Sequence, residues 1–131
     1  MQENQAQTSV RSAAAAQAAA AASSPTAVPN SVKIETLLEA CIKHGASDLH
    51  IQVGLPPILR IDGSLTPIPN TPILTTEIVD TLIFSTLDSM QREILAKDKE
   101  FDYSFAFGEI ARFRVNAFNE KGHLAAAFRL I

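Results

Sequence analysis

Three runs of alternating side chains close the sequence, and they constrain its fold more than any other feature. In Phe101–Phe107 (FDYSFAF) the aromatic residues Phe101, Tyr103, Phe105 and Phe107 take every second place against Asp102, Ser104 and Ala106. Ile110–Phe118 (IARFRVNAF) follows Gly108, and His123–Ile131 (HLAAAFRLI) ends the chain. A period of two sends alternate side chains to opposite faces of a pleated strand, so these segments read as three consecutive antiparallel strands sharing one apolar face. That face must be covered, and the residues before it have to supply the cover.

The cover is legible upstream. Ile34, Leu37, Leu38, Cys41 and Ile42 recur with a 3.6-residue period and Gly45 stands just past them, which predicts an amphipathic helix. Ser47–Val53 (SDLHIQV) then alternates, with Leu49, Ile51 and Val53 against Asp48, His50 and Gln52, as a half-buried strand does. Ile58–Ile61 and Ser64–Ile68 flank Asp62-Gly63, a pair suited to the positive φ angles of a two-residue hairpin turn. Thr75 can cap a second helix whose inner face is Ile78, Val79, Leu82 and Ile83, with Leu74 and Val79 as a hydrophobic staple. Asp88 and Gln91 have the spacing of a capping box for a short third helix that turns Ile94 and Leu95 inward. The expected fold is α+β, one mostly antiparallel sheet covered by helices.

Composition divides the 131 residues in two. Residues 1–30 are Ala- and Ser-rich with only Glu3 and Arg11 charged, and they offer no large apolar side chain to pack, so they read as a flexible leader before a domain at 31–131. All eight aromatic residues lie between Phe84 and Phe128. A domain of about 100 residues buries only about 60–65% of its unfolded surface, which makes a modest core and reliance on a neighbour the expectation. The formal charge of −3, without a block of Lys or Arg, excludes the electrostatic footprint of a nucleic-acid or anionic-membrane binder. A single Cys41 forms no internal disulfide, and no stretch reaches the roughly 20 apolar residues of a membrane span, so a reducing, cytoplasmic setting is expected.

Few residues carry chemistry. If the connection Asn119–Gly122 is a loop of even length, Phe118 faces His123, Arg112 lies opposite Arg129, and Arg114 shares their face. Like charges opposed on a sheet repel, so three guanidiniums there are best tolerated around an anion such as phosphate or carboxylate; the alternative is solvated ion pairs with Asp102, Glu109 or Glu120. Asp48 and His50 share a strand face and read as structural rather than as an acid/base pair. Cys41 and His44 have helical spacing but no second half of a zinc ligand set. No nucleophile elbow and no Gly-x-x-x-x-Gly-Lys-Ser/Thr phosphate loop occurs, so no catalytic residue and no metal site is expected in this chain.

Two long segments, Gly45–Gly63 (GASDLHIQVGLPPILRIDG) and Ala111–Ile131 (ARFRVNAFNEKGHLAAAFRLI), resemble the amino-terminal domain of the twitching-motility retraction ATPases of type IV pili, within the secretion-ATPase superfamily. The resemblance runs from about Ser31 to Ile131. It implies a PAS-like domain that precedes a RecA-like motor domain and packs with neighbouring subunits in a homohexamer. It also implies ATP and Mg2+ as ligands of the full-length protein, with none expected for this chain alone. In that family arginines of this domain reach the triphosphate, and the matching positions are Arg112, Arg114 and Arg129. The implied setting is the cytoplasmic side of the inner membrane, against the platform protein of the pilus machine. The alternative is a free-standing PAS-like interaction module with no nucleotide role.

Overall fold

The computed structural model describes residues 32–131, and the expected leader lies outside them. Helix α1 (Ile34–Lys43) buries Ile34, Leu37, Leu38 and Cys41, the stripe that its periodicity marks. It stops where Gly45 takes a φ of 66°, a left-handed conformation that costs Gly nothing. Strand β1 (Asp48–Gln52) follows, then β2 (Ile58–Ile61) and β3 (Ser64–Pro67), joined by the Asp62-Gly63 turn at φ 50° and 84°. Helix α2 (Thr76–Phe84) begins as expected, the Thr75 hydroxyl accepting from the Ile78 N–H, with Leu74 and Val79 both buried. Helix α3 (Ser89–Asp98) has its full capping box, Asp88 accepting from the Gln91 N–H and Gln91 from the Asp88 N–H. Arg92 ties the two helices together: its Nη2 donates to the Phe84 carbonyl at 2.8 Å and its guanidinium lies 5.4 Å over the Phe84 ring.

The last three strands, β4 (Glu100–Phe107), β5 (Ala111–Glu120) and β6 (His123–Leu130), form the expected antiparallel meander. Its far side joins the amino-terminal hairpin, because β6 pairs antiparallel with β1, giving one six-stranded sheet in the order β3-β2-β1-β6-β5-β4. All three helices pack on the face that carries Leu49, Ile51, Leu59, Tyr103, Phe113, Val115, Ala117, Ala126 and Phe128. Phe113 and Phe128 are fully enclosed at the centre of this layer. The one hydroxyl pair buried in it, Thr86 Oγ1 and Tyr103 Oη, is satisfied at 2.7 Å, and Thr86 also donates to the Ile83 carbonyl. Burial without loss of hydrogen bonding keeps that pair from destabilising the core.

Two outcomes test this packing. Phe128→Ala empties the centre of the layer and should lower the unfolding free energy by about 3–5 kcal/mol in denaturant titration, whereas a change at exposed Thr66 should stay within about 0.5 kcal/mol. Desolvation, aided by the Asp48 carboxylate, pushes the buried Cys41 thiol from 9.0 up to about 11. Because the folded value lies above the unfolded one, this group's contribution is whole below pH 9 and is lost as pH rises through 11, roughly 2–3 kcal/mol in all. Cys41→Ala should be less stable at pH 8 and yet flatter between pH 8 and 10.5; an unchanged alkaline slope would refute the assignment.

Candidate functional site: the uncovered face of the sheet

Side chains of the opposite parity project from the face that no helix among the described residues covers. Register sets Arg60 of β2, Asp48 of β1, Arg129 of β6, Arg114 of β5 and Ser104 of β4 in one row across five strands. Arg112 stands on the same face two residues along β5, and Asp102 two residues along β4. The three arginines picked out in the sequence therefore do share a face.

Their pairing differs from expectation. Arg114, not Arg112, lies opposite Arg129, while Arg112 is flanked by Ala106 and the terminal Ile131, whose N–H donates to the Arg112 carbonyl at 2.9 Å. The cause is the connection, which is the two-residue turn Lys121-Gly122 rather than four residues; both take positive φ, 54° and 84°. Such a turn matches the right-handed twist of paired strands, and it lets Asn119 and Glu120 extend β5 and join the ladder. Because the register moves by two places, every side chain keeps its face.

Each arginine has a polar neighbour. Arg114 grips Asp102 with two bonds, Nη2 to Oδ2 at 2.8 Å and Nε to Oδ1 at 3.3 Å. That grip holds the Asp102 carboxyl below its ordinary range and raises the guanidinium further, although both side chains stay substantially exposed. Arg129 Nη2 meets Asp48 Oδ2 at 3.5 Å, an unequal pair in which the guanidinium is 73% exposed and the carboxylate 8%. Arg112 Nη1 lies 3.5 Å from the Ser104 hydroxyl, and Arg60 Nη1 donates to the Gly63 carbonyl at 3.2 Å. Of the three acidic partners considered for these arginines, Asp102 is engaged, while Glu109 and Glu120 form no ion pair among the described residues.

Asp48 thus turns out to be buried and directed to Arg129, and no bond joins it to His50. His50 Nε2 is enclosed on this face with no hydrogen-bond partner among the described residues. Among those residues no three His, Cys, Asp or Glu side chains converge as a metal would require, and no helix is long and apolar enough to cross a membrane. The member that sequence reasoning missed is Arg60. Its strand and turn were legible, but only the pairing of β1 with both β2 and β6 brings it into the row of Arg129 and Arg114. On the helix side a shallow cleft of about 300 Å3 lies between α2, α3 and the β5–β6 turn, where burial and Glu77 raise the Asp80 carboxyl while His123 opposes them.

Sequence homology and the two-layer fold, rather than the arginines, support a domain of a secretion ATPase. The chain is homologous to the amino-terminal region of the type IV pilus retraction ATPase PilT. It is 44% identical over 98 residues to that protein of Pseudomonas aeruginosa, covering 75% of this chain and 28% of the relative. It is 29% identical over 100 residues to the type IV pilus ATPase PilU of the same organism, covering 76% and 26%. A twitching motility protein of Neisseria gonorrhoeae is 40% identical over 75 residues, 57% of this chain and 20% of its own length. Among solved structures, the pilus retraction motor PilT with bound ADP superposes with a TM-score of 0.72 at 32% identity, covering 75% of this chain and 29% of that one. The Legionella pneumophila ATPase DotB gives 0.63 at 29% identity, covering 75% and 28%. The chain thus spans less than a third of the length of these relatives. No family model matches it.

The register is directly testable. With a two-residue turn, nuclear Overhauser contacts should join Val115 to Phe128 and Phe113 to Leu130. A four-residue loop would instead place Phe113 opposite Phe128, and that contact would overturn the arrangement of the arginines given above.

Proposed function

We propose that this chain is the regulatory and assembly domain of a hexameric pilus-retraction ATPase, and that Arg112, Arg114 and Arg129 serve the triphosphate of ATP held by a RecA-like motor domain. The observation that carries the reading is the placement of Arg114 and Arg129 side by side on an uncovered sheet face, in a domain homologous to that of a motor solved with ADP. Exposed guanidiniums suit the anionic oxygens of phosphate, offering planar forks of N–H donors. The same face does not suit magnesium, since Asp48 and Asp102 already face arginines; the metal and the phosphate-cradling loop belong to the motor. Bound there, Mg-ATP supplies the phosphoryl group. The arginines of this domain orient its terminal oxygens and neutralise charge that builds as the phosphate leaves, so movement of the domain couples to hydrolysis. The setting this implies is cytoplasmic, in a homohexamer seated against the membrane platform of the pilus machine.

A second reading is favoured by one observation. Arg114 is already paired with Asp102, as expected for a solvated face of a free-standing interaction module without a nucleotide role. Turnover separates the two. Residues 1–131 alone should show no ATPase activity in a steady-state assay. In the protein carrying its motor region, replacing a phosphate-contacting arginine by Ala removes charge-assisted bonds worth ~1.5–3 kcal/mol and should slow turnover ~10- to 150-fold with the thermal midpoint kept. Lys should rescue only partly, because it restores charge without the fork. Normal turnover in all three Ala variants would sink the nucleotide role and leave the interaction module.

A further inference from the structure

Two arginines of the face, Arg114 and Arg129, are matched with carboxylates, while Arg112 meets only the Ser104 hydroxyl, and the two matches differ in kind. Asp102 approaches Arg114 diagonally across β4 and β5 with two bonds, both partners lying in solvent, so the pair is held lightly. Asp48 lies directly between two arginines, Arg60 on β2 and Arg129 on β6, with its own carboxylate almost fully enclosed. It is therefore fixed by the sheet, while the Arg129 guanidinium reaches past it into water with most of its donors free. A phosphate arriving at the Arg114–Arg129 pair does not meet bare guanidiniums. It has to displace Asp102 from Arg114, and it meets Arg129 with part of its charge already offset by Asp48.

We infer that Asp48 and Asp102 are resident counter-ions of the phosphate site, that anion binding proceeds by exchange of the Asp102 carboxylate for phosphate on Arg114, and that these two acids set the affinity of the face. The inference rests on the nucleotide reading above and adds regulation to it. In the empty state the carboxylates keep like-charged Arg114 and Arg129 from repelling each other across adjacent strands, which preserves the sheet without a ligand. Phosphate then competes with a weak exposed ion pair instead of filling a charged void. Such a face binds phosphate less tightly than its arginine content suggests and releases it readily, which suits a domain that must let go of nucleotide in every cycle. Asp48 and Asp102 are positioning residues in this scheme: they act on phosphate only through the arginines.

The test uses the 131-residue chain and inorganic tripolyphosphate, titrated at fixed ionic strength while the arginine side-chain Nε–H resonances are followed. Asp102→Asn frees Arg114 and should tighten binding about three- to ten-fold, with the Arg114 signal moving most. Asp48→Asn should tighten it in the same direction through Arg129. Glu100→Gln removes the same charge from the same face of β4 without an arginine partner and should change affinity less than about 1.5-fold. In an Arg114→Ala background, Asp102→Asn should have no effect, a coupling that a merely structural role would not produce. Equal tightening by Glu100→Gln, or tightening by Asp102→Asn that survives the loss of Arg114, would reduce the effect to bulk charge and overturn the inference. Binding that weakens with the arginine variants but ignores both Asp variants refutes the counter-ions alone. Binding indifferent to the arginines, or no binding by the Asp102→Asn chain, refutes the nucleotide reading with it.

Discussion

Everything in this domain hangs on the antiparallel pairing of β1 with β6, Asp48–Gln52 against Ala125–Arg129. It fuses an amino-terminal hairpin and a carboxy-terminal meander into one sheet, across a stretch of chain that includes two helices. The loop-closure entropy of such a contact has to be met before its hydrogen bonds and burial are gained. The gain comes from both faces. On one, Leu49 and Ile51 meet Phe128 and Ala126 under the helices; on the other, Asp48 meets Arg129. Split at this seam, each half would expose an edge and part of its apolar face, and neither would enclose the core.

Covering one face of the sheet leaves the other to water or to a partner. Three helices suffice to bury Phe113, Phe128 and the aliphatic layer around them, and the chain has no further element among the described residues for the second face. That face consequently carries four arginines, the acids Asp48, Asp102 and Glu100, and a histidine whose Nε2 has no partner among the described residues. The edges are managed differently. β3 is only four residues long and ends in Pro67, which blunts its exposed backbone, whereas β4 runs for eight residues with Asp102 and Glu100 projecting from it. Polar density thus concentrates toward the centre and the β4 side, where Arg114 and Arg129 stand together.

The helices were legible because their signals are local. Thr75, the Asp88–Gln91 box and Gly45 are each stated within a few residues, and a cap binds backbone that is close in sequence as well as in space. Strand faces were legible for the same reason, since alternation depends only on neighbouring positions. The three arginines were found to share a face from alternation, and that conclusion survived a misjudged loop because a slip of two residues preserves parity.

By itself, then, the sequence determined the elements, their faces, the covered side of the meander and the family to which its motifs point. What only the tertiary structure decided is who stands next to whom: Arg114 rather than Arg112 beside Arg129, Asp48 enclosed between Arg60 and Arg129, and Arg60 brought into the row at all. Those neighbours follow from the register of three strand pairings, and register is set by turn backbone at Lys121-Gly122 and by the fit of side chains from distant segments. Alternation fixes a side chain's face at the cost of looking two residues away; its cross-strand partner is a property of the closed sheet.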